Sequence, residues 1–379
     1  MHLSHVIASL DARHGGPSKS TRSLAQAQAE QGTQVDLFAG ADRPSRETHG
    51  QLTITFLARG WLDRLGVLPG LATHLRQAEP DVVHAHGLWL RSLGVAHEEA
   101  HLRKVPLVLS PRGMMSGWSW RHHRWRKHLA EHWLHPGAFS AVAGWHATSE
   151  EEAEEIRSHG FKQPVCVAPH GVDVPDAAAL AEARRHWTQA CPECARRPTA
   201  LFYSRFHAKK RVLELIDLWL AQSPSEWLLL LVGVPEQYSV EALRAYVYRA
   251  GGSRRIEVFD GMNRPAPYAA ASICLLPSHS ENFGMVVAEA LAAGVPALVT
   301  DSTPWKLLEA ARAGWCVPWS EFGPALQAAL AETPDSLQAR GSTARAWAHA
   351  TFAWSNTART LLAFYDHLRS AQGGARQPS

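Results

Sequence analysis

The sequence predicts an α/β protein made of two doubly wound, Rossmann-like parallel-sheet domains. Three observations carry that expectation. Apolar runs of strand length alternate with helical patterns along the whole chain. Most of the runs are predominantly apolar with no regular polar alternation, as in strands covered on both faces. At 379 residues, 46% hydrophobic and 19% charged, the chain is long enough for two domains that each bury a core, and global disorder is excluded.

Strands are expected at Leu3–Leu10, Gln34–Phe38, Thr53–Phe56, Val82–Ala85, Leu107–Ser110, Gly144–Thr148 and Val165–Ala168. The rhythm repeats at Ala200–Ser204, Trp227–Val232, Ile256–Phe259, Ile273–Pro277, Ala297–Thr300 and Gly314–Val317. Between the two sets lies Pro169-His170-Gly171-Val172-Asp173, then a polar, Ala- and Arg-rich stretch from Pro175 to Pro198. The break therefore falls near Gly171, with residues 1–172 in the first domain and 173–350 in the second, and 371–379 fraying at the end. Such a pair places a ligand cleft between the domains, at the carboxyl ends of the strands.

Helix punctuation agrees with this order. Gly16-Pro17 opens the first helix and Gly32 closes it. Ser149 with Glu152 reads as a capping box, and Gly160 ends that helix. Glu150, Glu151, Glu152, Glu154 and Glu155 read as a solvated start at the positive end of the helix dipole.

Composition removes several function classes. No apolar run approaches the roughly 20 residues of a bilayer span, and Trp227 to Pro235 has nine, so no transmembrane helix is expected. Met1–Leu10 lacks a basic flank and meets Asp11 and Arg13 at once, so it reads as a first strand, not a signal peptide, and the expected location is the cytoplasm. Five cysteines make no disulfide framework: Cys191 and Cys194 are a lone C-x-x-C, and Cys166, Cys274 and Cys316 stand in apolar runs. A net charge of +3 is too small to argue for nucleic acid.

Three loops carry candidate chemistry. Arg13-His14-Gly15-Gly16-Pro17-Ser18 follows the first strand and opens a helix, which suits an approaching anion and equally suits a plain tight turn. It is not G-x-G-x-x-G, which disfavours an NAD-linked dehydrogenase. Ser204-Arg205-Phe206-His207-Ala208-Lys209-Lys210 follows the first strand of the second domain; its cations suit a diphosphate leaving group, or simply a solvated basic loop. The strongest run is Pro277 to Pro296, in which a polar loop carries Glu281, Asn282, Phe283 and Gly284 and a helix then carries Glu289. Eight residues apart, the two carboxylates diverge by roughly 80° even on one helix, so they reach different parts of a ligand. Glu289 sits among Val287, Ala288, Ala290 and Leu291, where an unpaired carboxylate is costly and a ligand's hydroxyl pair satisfies it. A solvent-facing glutamate is the alternative.

Glu281 to Glu289 resembles the E-x7-E motif of retaining glycosyltransferase family 4, and Arg205 to Lys210 is similar to that family's R-[LF]-x-x-x-K element. The Gly-Gly loop, Val83-His84-Ala85-His86 and the Pro-His-Gly-Val-Asp hinge come in the matching order, so the resemblance spans nearly the whole chain. Ser110-Pro111-Arg112-Gly113-Met114 and Thr303-Pro304-Trp305 look like members that build bacterial lipopolysaccharide and exopolysaccharide. The resemblance implies a GT-B fold with the nucleotide-sugar on the C-terminal domain and the acceptor on the N-terminal one. It implies that Arg205 and Lys210 hold the diphosphate over Gly16, that Glu289 takes the ribose hydroxyls, and that Glu281 with Asn282, Phe283 and Gly284 holds the donor sugar. The resemblance also implies that His86 stands near the reacting sugar. Residues 351–370, from Phe352-Ala353-Trp354 onward, resemble the last helix, which crosses back to the N-terminal domain. The usual hinge is Asn-Gly-Val-Asp; here His170 replaces the asparagine.

With Arg205, Lys210 and helix starts to stabilise the leaving phosphate, and no Asp-x-Asp to hold a divalent ion, neither a metal nor a cofactor is expected. The departing phosphate itself can take the acceptor's proton. Whether Glu281 is a nucleophile or only a sugar ligand stays open.

One segment is strongly basic. Between His101 and His135 stand Arg103, Lys104, Arg112, Arg121, Arg124, Arg126 and Lys127, opposed only by Glu131. Trp118, Trp120, Trp125 and Trp133 interleave with them, a mixture that suits an anionic membrane surface. A solvated amphipathic helix is the alternative. Trp120, Arg121, Arg124, Trp125, Arg126 and Lys127 are the expected lipid contacts, and Arg112 the contact to an acceptor phosphate. The expected protein is thus a retaining hexosyltransferase on the inner face of the cytoplasmic membrane. It uses a UDP- or GDP-sugar and a lipid-linked saccharide, and no nucleic acid. A soluble transferase with a small acceptor and a non-catalytic nucleotide-sugar-binding subunit are the rivals.

Overall fold

The computed structural model describes residues 1–11, 16–60, 62–116, 120, 124–222 and 226–374, and no side chains at 124, 126, 373 and 374. The chain divides into two units, residues 1–171 with 354–379, and residues 172–353. The first crossing between the units follows Gly171 and the second follows Ala353, and the helix Pro334–Thr351 runs through position 350.

Unit 1 runs β1 (His2–Ser9), α1 (Gly16–Glu30), β2 (Gln34–Ala41), β3 (Ser45–His49), β4 (Leu52–Ala58), α2 (Leu71–Ala78), β5 (Val82–His86), α3 (Arg91–Arg103) and β6 (Leu107–Ser110). It continues with α4 (Arg124–Trp133), α5 (Ala138–Ala141), β7 (Gly144–Ala147), α6 (Glu150–Ser158) and β8 (Val165–Val167). The strand order is β3-β4-β2-β1-β5-β6-β7-β8. Every pairing is parallel except β3 with β4.

Strand β3 has no counterpart in the sequence reading. Ser45-Arg46-Glu47-Thr48-His49 has no apolar face, and it pairs on the sheet edge through a hairpin whose Gly50 sits at φ 59°. A short charged edge strand also blunts unwanted pairing.

Unit 2 runs α7 (Ala177–Ala190), β9 (Thr199–Tyr203), α8 (Val212–Gln222), β10 (Leu228–Gly233), α9 (Val240–Arg249), β11 (Ile256–Asp260), β12 (Ile273–Leu276), α10 (Met285–Ala292), β13 (Ala297–Thr300), β14 (Gly314–Val317), α11 (Trp319–Leu330) and α12 (Pro334–Thr351). Its six-stranded sheet has the order β11-β10-β9-β12-β13-β14, all parallel. All six residues of β10 are buried, as an unpatterned apolar strand requires. Apolar layers cover both faces, one around Trp187, Leu230 and Val287 and one around Phe202, Trp219 and Phe322.

The last helix, α13 (Trp354–Gly374), returns to unit 1. Leu361, Tyr365 and Leu368 fall on one helical face and are buried with Leu3, Leu24, Val82 and Val108. Gly171 is glycine by necessity, since a Cβ there would run into the Trp354 indole. The tail 375–379 lies outside the described residues. The five cysteines are free thiols.

Candidate active site

In unit 2 the chain proceeds from β9 outward to β10 on one side, while β12 takes the other side. The connections after β9 and β12 therefore part at their carboxyl ends, the switch point where open α/β sheets hold ligands. These two connections carry the two predicted motifs. Lys210 ends a short 3-10 turn after β9, whose start is capped by His207 Nδ1 accepting from the Lys209 amide at 2.9 Å. Glu281 stands in the loop after β12. Its Oε1 accepts from the Lys210 ammonium and, at 2.6 Å, from the Ser278 hydroxyl.

Both partners of this ion pair are nearly covered, with side-chain exposures of 11% and 10%. Burial alone pushes the Glu281 carboxyl up. The Lys210 charge and hydrogen bond, the Ser278 hydroxyl and the nearby Lys209 outweigh it and hold the carboxyl below its ordinary range. The sequence reading gave Lys210 and Glu281 to different parts of a ligand; the fold joins them to each other.

The rest of the loop is held by one indole. Trp305 Nε1 donates to the Phe283 carbonyl at 2.5 Å, and the Phe283 ring packs at 5.2 Å from the Trp305 ring. Gly284 takes φ 79°, and a Cβ there would come to 3.1 Å of Trp305 Nε1. Asn282 is half-buried beside them. Helix α10 then starts at Met285, so the positive end of its dipole adjoins the loop.

Glu289 is half-buried on α10, and its Oε2 accepts from the Tyr268 hydroxyl at 2.8 Å. The expected partner is a ligand's hydroxyl pair; within the chain the Tyr268 hydroxyl already supplies one hydrogen bond. Tyr268 arrives from the connection before β12, and no sequence spacing announces it. Burial and the Glu289 charge push its phenol well up, so it stays a donor. Arg205 is half-exposed and pairs with Glu236 at 2.8 Å, the carboxylate that follows β10.

Unit 1 has its own switch point, between β1 and β5. Gly16 begins α1 there, with open space where a Cβ would stand; Arg13, His14 and Gly15 lie outside the described residues. Register places His5 of β1 opposite His84 of β5, and His86 lies two residues on, on the same face. The ring nitrogens join a hydrogen-bond chain whose direction follows from its ends, a guanidinium that only donates and a carbonyl that only accepts.

Arg112 Nη2 donates to His86 Nδ1 at 2.9 Å, which leaves the His86 proton on Nε2 to donate to His5 Nδ1 at 2.8 Å. His5 Nε2 donates to Gln28 Oε1 at 2.7 Å, and Gln28 Nε2 to the Tyr365 hydroxyl at 3.4 Å. Tyr365 donates to His84 Nδ1 at 2.6 Å, and His84 Nε2 to Ser110 Oγ at 2.7 Å. Ser110 donates to His146 Nδ1 at 2.7 Å, and His146 Nε2 to the Ala168 carbonyl at 2.9 Å.

The four histidines of this hydrogen-bond network are held toward the neutral form. Burial is the main cause, and the Arg112 charge adds to it: His5 falls to about 4, His146 to about 3, and His84 and His86 well below the ordinary value. His5, His84 and His86 offer ligand atoms within 4.8 Å of one another. Both nitrogens of each are already committed in the chain, with a guanidinium alongside, so the trio is a proton-ordered network and not a cation site.

Arg112 is buried at φ 57°. Besides His86 it donates to Ser20 Oγ at 3.2 Å, Thr21 Oγ1 at 3.2 Å and His170 at 2.9 Å, so the histidine that replaces the hinge asparagine is a ligand of Arg112. The guanidinium expected to contact an acceptor phosphate is thus occupied by these internal partners. Burial lowers Arg112 to about 10, which leaves it cationic at neutral pH. The turn is pinned by Glu152, which accepts from the amides of Gly113 at 2.7 Å and Thr148 at 2.8 Å. Glu152 is thus buried and structural, not part of a solvated helix start. Only half of the capping box forms, the Glu152 amide on Ser149 Oγ at 3.2 Å.

The phenol of Tyr365 joins the two halves of this chain. Replacing Tyr365 by phenylalanine strands the Gln28 amide and His84 Nδ1 in the interior. We expect a loss of about 1–3 kcal/mol per stranded group, read by chemical denaturation. The same variant lets His84 exchange its tautomer, which nitrogen-15 shifts of the imidazole report.

On α4, Trp125, Leu129 and Trp133 are 67%, 52% and 77% exposed and share one face at spacings of four. Trp120 departs from the lipid-facing expectation. It is half-buried, stacked on His159 with ring centres 4.0 Å apart, and 5.2 Å from Trp89. Lys127 lies over Trp89 at 5.5 Å. Arg121 and the side chains of Arg124 and Arg126 lie outside the described residues.

Residues 14–175 match the Glycosyltransferase Family 4 domain model and residues 186–325 the Glycosyl transferases group 1 model. The chain is 29% identical to a glycogen synthase of Mycobacterium tuberculosis, over 91% of this chain and 82% of that one. It is 24% identical to the GDP-mannose:cellobiosyl-diphosphopolyprenol alpha-mannosyltransferase of Xanthomonas campestris, over 80% of each chain. Among solved structures it resembles HepE of Anabaena in complex with UDP and glucose, with a TM-score of 0.73 and 18% identity, covering 97% of this chain and 100% of that one.

Proposed function

We propose, since this chain belongs to the family 4 glycosyltransferases and has their GT-B fold, that it moves a hexose from a UDP- or GDP-sugar to a hydroxyl of a lipid-linked saccharide of the lipopolysaccharide or exopolysaccharide kind. The observation that carries the reading is the buried Lys210–Glu281 pair at the switch point of unit 2, one loop away from the Glu289–Tyr268 pair. The printed names of two similar proteins support its terms: HepE is seen with UDP and glucose, and the Xanthomonas enzyme is a GDP-mannose:cellobiosyl-diphosphopolyprenol alpha-mannosyltransferase.

In this reading Lys210 and Arg205, with the start of α10, stabilise the charge that gathers on the departing diphosphate. Glu289, oriented by Tyr268, accepts from the ribose hydroxyls. Glu281 and the backbone of Asn282, Phe283 and Gly284 hold the donor sugar. When the diphosphate takes the ammonium of Lys210, Glu281 is released toward the sugar, so donor binding arms the carboxylate. The acceptor hydroxyl attacks the anomeric carbon on the face that the phosphate leaves and passes its proton to that phosphate, which retains configuration. These charges come from the chain itself, so turnover persists in EDTA. On the acceptor side, both His86 nitrogens are committed, so His86 works with Arg112 as a fixed neutral neighbour and not as a base.

The exposed Trp125, Leu129 and Trp133 face suits peripheral attachment to an anionic leaflet on its cytoplasmic side. No helix among the described residues is long and apolar enough to cross a membrane.

The test is a thermal-shift screen against UDP, GDP, ADP and NAD, with and without EDTA. At a ligand concentration of about 100 Kd the stabilisation is about 2.7 kcal/mol, a rise of several degrees. We expect UDP or GDP to give it, EDTA to leave it unchanged, and Glu289→Ala to diminish it. A shift with NAD alone, or with no nucleotide, overturns the reading.

A further inference from the structure

We propose that the pocket formed by Trp89, Trp120, Trp125, Lys127, His128 and Glu131 in unit 1 binds a neutral pyranose ring of the acceptor. The inference deepens the reading above by naming a ligand class and its subsite.

Position is the first argument. Trp89 lies three residues beyond His86, in the connection that leaves β5 beside the β1–β5 switch point. The second is the state of Trp89 itself. Its backbone sits at φ 66°, a strained left-handed conformation for a bulky residue, and its buried indole Nε1 has no hydrogen-bond partner among the described residues. A strained backbone and an unsatisfied donor at one residue mark a place where a ligand completes the structure.

The third argument is size and chemistry. The pocket volume is about 360 Å³, within the range of small-molecule sites and ample for one sugar ring. Trp89 and Trp120 meet at 56°, so their indoles form two walls of a corner, suited to the apolar face of a pyranose. Lys127 and Glu131 stand four residues apart on α4 and bring one cation and one anion to the same pocket. A phosphate meets repulsion from Glu131. An acyl or prenyl tail strips water from both charges and offers nothing in return. Sugar hydroxyls both donate and accept, so one ring stacked on the indoles serves the Lys127 ammonium and the Glu131 carboxylate together.

The experiment is isothermal titration of the full chain, without donor, using cellobiose and maltose as probes. We expect saturable binding of at least one. We expect Trp125→Ala and Glu131→Gln each to weaken it about tenfold, with Trp125→Phe keeping most of it. The UDP or GDP thermal shift, measured on the same samples, certifies the fold of each variant. No saturable binding of either sugar, or unchanged affinity in both weakening variants, overturns the inference. So does binding of phosphatidylglycerol vesicles with no response to either sugar. Loss of the nucleotide shift with sugar binding retained counts against the proposed function instead, so the two failures are distinguishable.

Discussion

Replacing Lys210 by alanine is expected to lower kcat about 10²–10³-fold and, separately, to cost about 3–5 kcal/mol of stability. The two losses have different causes. The first is the missing cation on the leaving diphosphate. The second arises because Glu281 is left nearly covered without its ion-pair partner, held by the Ser278 hydroxyl and the more distant Lys209 charge, and a poorly compensated buried carboxylate is expensive.

A second substitution separates them. In the pair Lys210→Ala with Glu281→Gln the stranded charge is gone, so stability should return toward the native value while kcat stays low. Nucleotide release measured beside urea unfolding reads both quantities. If the single variant is no less stable than the native protein, the ion pair is not the buried contact described. If its kcat is unchanged, Lys210 does not serve the leaving group.

Acid is expected to unfold unit 1 at a pH where most proteins of this size are stable. Five buried histidines, His5, His84, His86, His146 and His170, have native pKa values held below the ordinary 6.5, chiefly by burial. For a histidine depressed in the native state, the unfolded chain binds the extra protons. Stability is therefore complete above the unfolded value and falls as pH drops below it.

Each such group removes about 1.4 kcal/mol per pH unit, so five remove roughly 7 kcal/mol per unit, against a typical total of about 5–15 kcal/mol. Urea unfolding at pH 7.5, 6.5 and 5.5 should show the midpoint collapsing with little change in slope. A midpoint flat across that range contradicts neutral burial of the network. His5→Asn removes one titrating group, so the pH slope of that variant should shrink even where its overall stability is lower.

Much of the architecture lies in local pattern. Strand β10 reads as a strand because six apolar residues in a row suit an element buried on both faces, and β12 and β13 announce themselves in the same way. The hinge shows because Gly171 sits where the apolar rhythm stops. Lys210 and Glu281 are legible as motif residues, each at the carboxyl end of its own strand.

β3 was missed for the complementary reason. Its five residues carry no apolar face, and only the hairpin partner makes them a strand. Partners are the part that no spacing encodes. Gln28 and Tyr365 meet across 337 positions of chain, Tyr268 reaches Glu289 from a separate turn, and Glu152 turns inward to hold Gly113. The H-x-H at His84 and His86 was the available signal, since alternate residues of a strand share a face, but the third imidazole comes from the neighbouring strand through register. Trp120 and Trp125 read alike in the basic segment, yet one is stacked on His159 and the other stands in solvent.

By itself the sequence determined the α/β class, two parallel-sheet units, the hinge and the cationic and acidic motif residues, because periodicity and loop chemistry are written within a few consecutive residues. The tertiary structure alone decided which of those charges are paired, which buried histidines are held toward the neutral form and where an indole has no partner among the described residues, because each depends on groups that only strand order and register bring within hydrogen-bonding distance.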